Sequence, residues 1–488
     1  MFAAGRHLVE CASLVGLGKP VLTHGDQEKR DEYTDEGIAC LQEAVGRYRK
    51  AGGPRQPGYK FCLVWLARGF RNRQRFREAE DLLEGSLRFF RNDLTNEHEE
   101  VAFALAFLAQ VRLDQRKYAG VERLLLESRA ILGRLPVEKR QALGPRLPAE
   151  RKAVLDRLTE LYFATGQLAK AAAVARDRRR DWPNDPDQLL LAGRHLILCV
   201  PPECPGQPTL TAAEQAERKA YLEEGIASCQ GAERLCRQAG GARHPLYKFS
   251  LVWLALGLRH KQDHPSAEKL LAEALPLYRR DFGPRHEEVA AVLAYLSATR
   301  VALKRHNGVE GDLKEALEIC ESAPGGPRPS LTVTLAAAGE LYRSTKRPVQ
   351  AAEAAQRRRR HWPNDPGQLY EAACELALCV PLVGQGKVEL TLPERTERRK
   401  YTREALAALE RSVACGFLGS GRLKDDPKLE AVRGQMAFQE IIKRAEKNGR
   451  DLLLRSATTL GFLGPALGKG PWLGATVFWL RGPTPAQK

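Results

Sequence analysis

Two runs of arginine carry the densest chemical potential in the sequence: Arg176-Asp177-Arg178-Arg179-Arg180 and Arg357-Arg358-Arg359-Arg360. A guanidinium presents a planar fork of donors that grips a carboxylate or phosphate through two bonds at once. A row of them suits a polyanion such as a phosphoprotein or nucleic acid. Each run closes a stretch of helical pattern and is followed by Trp-Pro-Asn-Asp-Pro, at 182–186 and 362–366. Cations in a last helical turn complement the helix dipole, worth ~0.3–1 kcal/mol each. Pro183 and Pro363 forbid the helix to continue, and Asn-Asp-Pro suits a turn that N-caps the next helix. The runs therefore have a structural reading and a functional one. On the second, the anion- or partner-binding residues are Arg178, Arg179, Arg180, Arg357, Arg358, Arg359 and Arg360.

Other reactive residue types lead to structural readings. His98-Glu99-Glu100 and His286-Glu287-Glu288 have the side chains of metal ligands. A zinc-protease pattern needs a second histidine four positions on, where Ala102 and Ala290 stand. Two glutamates in such a place are expected to meet the positive end of a helix dipole. The eleven cysteines are an odd number with no CxxC spacing; Cys199 and Cys204, like Cys374 and Cys379, are five apart. They read as reduced thiols acting as small buried hydrophobes in the cytoplasm. No GxSxG elbow, phosphate-binding P-loop or Cys–His nucleophile pattern occurs. No catalytic residue, cofactor or metal ligand is expected. Trp65 and Trp253 are expected in a packed core, with a peptide-binding platform as the alternative.

The elements that position these residues follow from an internal duplication. Tyr59-Lys-Phe-Cys-Leu-Val-Trp-Leu-Ala67 returns 188 positions later as 247–255, changed only from Cys62 to Ser250. The His-Glu-Glu-Val segment at 98–101 returns at the same offset, whereas Trp-Pro-Asn-Asp-Pro and Leu-Cys-Val-Pro (198–201) return 180 positions later. A third, partial copy begins near 375, so the first residues of the chain correspond to the middle of a unit. Inside each unit a period of 42 relates Trp65-Leu66 to Phe107-Leu108 and Trp253-Leu254 to Tyr295-Leu296. Periods of 20–50 residues belong to solenoids and arrays. Ala79, Leu82, Leu83, Ser86, Leu87 and Phe90 share one face of a helix, as do Ala267, Leu270, Leu271, Ala274, Leu275 and Tyr278. The segment Phe61 to Phe70 supplies a partner helix, and small residues at Ala67, Ala79, Ala255 and Ala267 allow close approach.

These pairs resemble tetratricopeptide (TPR) repeats, on the pattern Leu66-Ala67, Phe70 and Ala79, repeated at Leu254-Ala255 and Ala267, Leu158, Tyr162 and Ala171, and Gly339, Tyr342 and Ala351. The 42-residue spacing and the loop at 282–290 are similar to repeats of the kinesin-light-chain type. The stretch 375–417, followed by 423–442, looks like the TPR tail of large planctomycete-type bacterial serine/threonine protein kinases. That resemblance implies a region detached from, or belonging to, a longer kinase. Asp281-Phe282-Gly283 spells a kinase magnesium motif, but no Gly-rich loop, lysine strand or catalytic loop accompanies it. Its equivalent in the first copy is Asp93-Leu94-Thr95, so the match is read as chance.

Composition sets the outer bounds. Of 488 residues, 43% are hydrophobic and 28% charged, which fits a globular chain and excludes a collagen-like or low-complexity one. Glu10 interrupts the apolar N-terminus, which argues against a signal peptide. The apolar stretch at 457–480 is broken by Pro465, Lys469 and Pro471, so no membrane span is expected. The net charge of +17 favours polyanion contact, but no nucleic-acid-binding module accompanies it, so nucleic acid is not the expected partner. The expected fold is all-α, a TPR-like right-handed superhelical solenoid of helical hairpins. Its units are 1–194, 195–374 and a partial third at 375–447, with an irregular tail at 448–488 that offers Trp472, Phe478 and Trp479 as apolar anchors. The expected function is a non-enzymatic protein-interaction scaffold holding a protein or peptide in its concave groove. Polyanion binding through the arginine runs is the alternative.

Overall fold

A computed structural model describes residues 1–15, 24–200, 211–322, 329–417 and 420–459. The anchors Trp472, Phe478 and Trp479, Cys204, and most of the apolar stretch at 457–480 lie outside them. Among the described residues the secondary structure is helical throughout, with no strand, and the architecture is an all-α TPR-like solenoid of paired helices. The final helix, Met436–Thr459, runs past residue 447, where the repeat resemblance ends. The chain forms two compact units, one spanning Met1–Val174 and the other beginning at Ala175.

In the first unit, Phe2–Leu14 packs on His24–Lys50, Pro57–Asn72 on Phe76–Asp93, and Glu99–Asp114 on Val121–Arg134. In the second, the pairs are Pro186–Leu198 with Ala212–Gln238, Tyr247–His260 with His264–Phe282, and Glu287–Ala302 with Val309–Ser322. Pro329–Ser344 with Pro348–His361 and Pro366–Cys379 with Leu392–Ala414 complete that unit's series. The segment Phe61 to Phe70 is a helix, as its spacing predicts. Ala67, Ala79, Ala255 and Ala267 are all fully buried where the paired helices meet. The short period is also written in the backbone. Gln74, Arg116, Gln262, Lys304 and Lys346 each take a left-handed conformation, φ 57° to 66°, in the turn that joins a pair. Such a residue ends one helix and releases the chain into the next. The first unit contains a short extra helix, Val137–Leu143, in the stretch where the second copy is eight residues shorter.

Within each unit the first helices of successive pairs also touch one another: Phe2–Leu14 with Pro57–Asn72, and Pro186–Leu198 with Tyr247–His260. They therefore share a face. Glu99–Asp114 and Glu287–Ala302 are apolar almost all round and are buried accordingly.

The closest crossing sets a testable constraint. Pro186–Leu198 meets Ala212–Gln238 at Gly193 and Gly225. A Cβ on Gly193 would run into Cys229 Sγ and stand 2.8 Å from the Gly225 carbonyl oxygen. The first copy crosses the same way at Gly5 and Gly37, while the third carries Ala373 and Ala405, both fully buried, at the equivalent positions. Alanine gains about 1 kcal/mol of helix propensity over glycine, but overpacking a tight contact costs about 1–3 kcal/mol. Here the obstacle is backbone, which cannot swing aside. Gly193→Ala is expected to lower the urea midpoint. An unchanged or raised midpoint would show that the helices separate freely.

Candidate functional site

The arginine runs split into buried and exposed members. Arg178 and Arg358 are 0% and 2% exposed, so neither stands in an open row of forks. Arg358 Nη1 donates to Gln368 Oε1 at 2.6 Å, its Nε and Nη2 donate to the Glu375 carboxylate at 3.2 and 3.0 Å, and Nη2 also reaches the Thr332 carbonyl oxygen at 3.3 Å. Arg178 Nη1 donates in the same way to Gln188 Oε1 at 2.7 Å. The glutamine belongs to the repeated motif: in Trp-Pro-Asn-Asp-Pro-x-Gln, the aspartate starts the next helix and the glutamine receives the buried arginine. Asp185 Oδ1 accepts from the backbone N–H groups of Asp187 and Gln188, and Asp365 Oδ1 accepts from that of Gln368. The preceding helices end at Asp181 and His361, ahead of the two prolines.

The other arginines face outward to different degrees. Arg176 forms a two-bond pair with Glu224, 2.8 Å for each bond, which holds the guanidinium charged and the carboxyl below its usual range. Arg180 pairs with Asp177 and Asp181, and Arg357 with Glu353 and Glu321. Arg179 and Arg360 are exposed and Arg359 half-buried. These three are the members of the runs left to meet an anion.

The remaining chemical motifs resolve into structure. His98 and His286 N-cap their helices, each accepting the backbone N–H two residues on through Nδ1 at 3.2 Å. Asp281 receives a hydrogen bond from Arg280 and the ammonium of buried Lys248 at 2.6 Å, and is held below the usual carboxylate range. Phe282 packs edge-on against Phe249, and Gly283 ends the helix at φ 89°. The first copy repeats the pair as Lys60 and Asp93 at 2.8 Å. The Asp-Phe-Gly triplet is thus accounted for by an ion pair, an apolar contact and a helix stop. Among the described residues, no group of three His, Cys, Asp or Glu side chains converges to hold a metal ion, and no helix is long and apolar enough to cross a membrane. The ten cysteines described are free thiols.

Sequence reasoning named Trp65 and Trp253 but missed the arginines that lie over them on the first-helix face of each unit. Trp65 is half-buried, with the guanidinium of Arg6 5.2 Å from the ring centroid and that of Arg68 at 5.1 Å. Trp253 is half-buried beneath Arg194 at 5.2 Å. The neighbours differ between the copies. Arg6 pairs with Glu10 at 3.1 Å, but Leu198 stands at the equivalent of Glu10 and Leu256 at that of Arg68. Arg194 is therefore 5% exposed with Nε and Nη2 unbonded, and burial lowers its pKa to about 10. Glu288 lies within its field, raised to about 7 by burial and by neighbouring Glu287. The offset of 188 could have exposed this contrast, because it aligns the arginines while replacing their partners.

Residues 249–308 match the family model described as a tetratricopeptide repeat, so the chain contains a TPR region. No curated protein matches the chain. Among solved structures it is similar to BtubC from P. vanneervenii, at 18% identity over 48% of this chain and 89% of that one, with a TM-score of 0.36. It is similar to a putative kinesin light chain of P. anserina with nearly identical TPR-like repeats, at 15% identity over 56% and 94%, TM-score 0.29. A signal-transduction ATPase of the STAND type with a TPR sensor, from Pyrococcus horikoshii, aligns at 15% identity over 70% of this chain and 49% of that one, TM-score 0.41.

Proposed function

We propose that the chain is a non-enzymatic, cytoplasmic scaffold that holds a protein or peptide partner along the face that the first helices of the pairs line in its first unit. The observation that carries this reading is the arginine–tryptophan platform of the first unit. Half-buried Trp65 under exposed Arg6 and half-buried Arg68 places on that face the two residue types that most often dominate binding interfaces, whereas in the second unit Arg194 is itself buried over Trp253. A half-buried indole beneath a guanidinium offers a flat apolar surface with a charged rim. The test is a pull-down with the full chain at physiological salt, comparing it with Arg6→Glu/Arg68→Glu. The double variant is expected to lose at least about tenfold of the recovered partner. Equal recovery, or nothing above background with the unaltered chain, would end the proposal.

A finer part of the proposal is service to a serine/threonine kinase, which rests on the resemblance of 375–442 to kinase tails. A kinase domain encoded immediately beside this reading frame, and its co-purification with the chain, is the expected result. A neighbourhood without one weighs against the association.

A second reading is favoured by the exposed ends of the arginine runs. Arg179 at the end of one helix, and Arg360 with half-buried Arg359 at the end of another, offer guanidinium forks to a phosphoprotein or another polyanion. Binding of heparin as probe should then weaken steeply with salt, because each neutralised anionic group releases counterions. Arg359→Ser/Arg360→Ser is expected to lower affinity at least about fivefold and to flatten the salt slope. Unchanged binding would remove these residues from the function.

A further inference from the structure

The second unit carries a second surface that the first-helix face does not explain. Between the helices Leu392–Ala414 and Met436–Thr459 lies an open cleft of about 610 Å³, inside the ~300–1,000 Å³ range of ligand clefts. Its apolar lining comes from Leu406 and Ala407 on one helix and Ala437 and Ile441 on the other. Its charged lining is mainly basic: Arg398, Arg399, Arg403 and Arg444 against Glu410 and Glu440. Two of those arginines are already engaged. Arg398 Nε donates to the Val383 carbonyl oxygen at 2.9 Å, and Arg444 pairs with Glu410 at 2.9 Å. Arg399 and Arg403 are exposed, stand four residues apart on one helical face and make no ion pair among the described residues.

We propose that this cleft binds an acidic amphipathic peptide segment of a partner protein, with carboxylates one helical turn apart meeting Arg399 and Arg403 and an apolar side chain between them seated on Leu406 and Ile441. The spacing of the two free cations matches the i, i+4 spacing of carboxylates on a helix, and helix-in-groove docking pairs such contacts with apolar anchors. The chain's own segment 460–488 contains no Asp or Glu and carries Lys469, Arg481 and Lys488, so its charge does not complement the cleft. Nucleic acid is disfavoured because no aromatic side chain lines the cleft to stack on a base.

The proposal does not depend on the first-helix face, and the test separates the two. A short fluorescein-labelled peptide of repeating Glu-Glu-Leu-Leu blocks is titrated with the full chain and followed by anisotropy, beside Lys-Lys-Leu-Leu and Glu-Glu-Ser-Ser counterparts. The Glu-Glu-Leu-Leu probe is expected to bind, and both counterparts to bind at least about fivefold more weakly. Arg399→Glu/Arg403→Glu should weaken the acidic probe at least about tenfold. Both side chains are exposed, so an unchanged urea midpoint is expected to accompany that loss. Arg6→Glu/Arg68→Glu should leave probe binding unchanged. Binding that survives the charge reversal, a Glu-Glu-Ser-Ser peptide that binds equally well, or a single-stranded oligonucleotide that displaces the probe at equal concentration would each overturn the proposal.

Discussion

Arg358→Ala is expected to lower the unfolding free energy of the chain by about 3–5 kcal/mol, the usual cost of removing one member of a buried ion pair. Alanine would leave the Glu375 carboxylate, 8% exposed, without its countercharge. Gln368 Oε1 and the Thr332 carbonyl oxygen would lose a donor as well. Arg358→Lys keeps the charge but has no planar fork to reach the carboxylate, the amide and the carbonyl together. It should fall between alanine and the native residue. A double change, Arg358→Met/Glu375→Met, removes both charges and should recover much of the loss, because apolar pairs of similar volume often replace buried ion pairs without penalty. Urea denaturation of the four proteins measures the series. A loss below about 1 kcal/mol for alanine would mean that the bonds around Arg358 are far weaker than their geometry implies.

Two of the run arginines, Arg178 and Arg358, thus had their chemistry hidden in the sequence. The runs look uniform, yet one arginine in each points inward. The deciding residue is a glutamine ten positions on, across a proline turn. Nothing in the local charge pattern marks Arg358 as buried and Arg359 as half-exposed. What marks it is helical phase: Arg358 continues the face of Ala351, Ala354 and Ala355, all of them 5% exposed or less. The copies then diverge in the partner, since His195 stands where the second copy has Glu375. His195 is kept neutral by burial and by the nearby cations Arg178 and Arg194. One backbone site thus tolerates an anion in one copy and a neutral imidazole in the other.

Fold and repeat period were far more legible. The 42-residue spacing, the small residues at 67, 79, 255 and 267 and the helix caps at Asp185 and Asp365 all act locally, through periodicity, size and turn chemistry, which a linear pattern records. The first-helix face was less legible because it is assembled from different pairs. Arg194 and Trp253 come from consecutive first helices with the whole helix Ala212–Gln238 between them in the chain. The cleft beside Arg399 and Arg403 is harder still. Its lining joins Leu392–Ala414 to Met436–Thr459 across the short helical turns at 420–433, and basic residues on a helix surface ordinarily mean only solvation.

Glu288→Gln is expected to stabilise the chain above about pH 7 and to have no effect in acid. Burial raises the Glu288 carboxyl from 4.5 to about 7, and Glu287 beside it adds to the shift. The groups that oppose it come from neighbouring helices: Arg194 on Pro186–Leu198 and Lys248 on Tyr247–His260. Neither neutralises it by contact. Lys248 is committed to Asp281 at 2.6 Å, and Arg194 forms no ion pair among the described residues. Tyr278 on the helix His264–Phe282 and Tyr295 on Glu287–Ala302 itself share the field, their phenols held un-ionised by burial. One carboxylate oxygen of Glu288 has no hydrogen-bond partner. In the first copy, by contrast, Glu100 reaches Arg146 at 3.3 Å. The folded state therefore holds a proton that the unfolded state releases between pH 4.5 and about 7. Stability from this group is fully present below the lower value, falls as pH rises through that window and stays low above it. Partial exposure discounts the loss to about 2 kcal/mol, from 1.36 kcal/mol per unit. Glutamine keeps the shape without the charge, so the unfolding curves of the two proteins should converge near pH 4.5 and separate progressively toward pH 7. Parallel curves across that range would show that Glu288 ionises in the folded chain as it does in water.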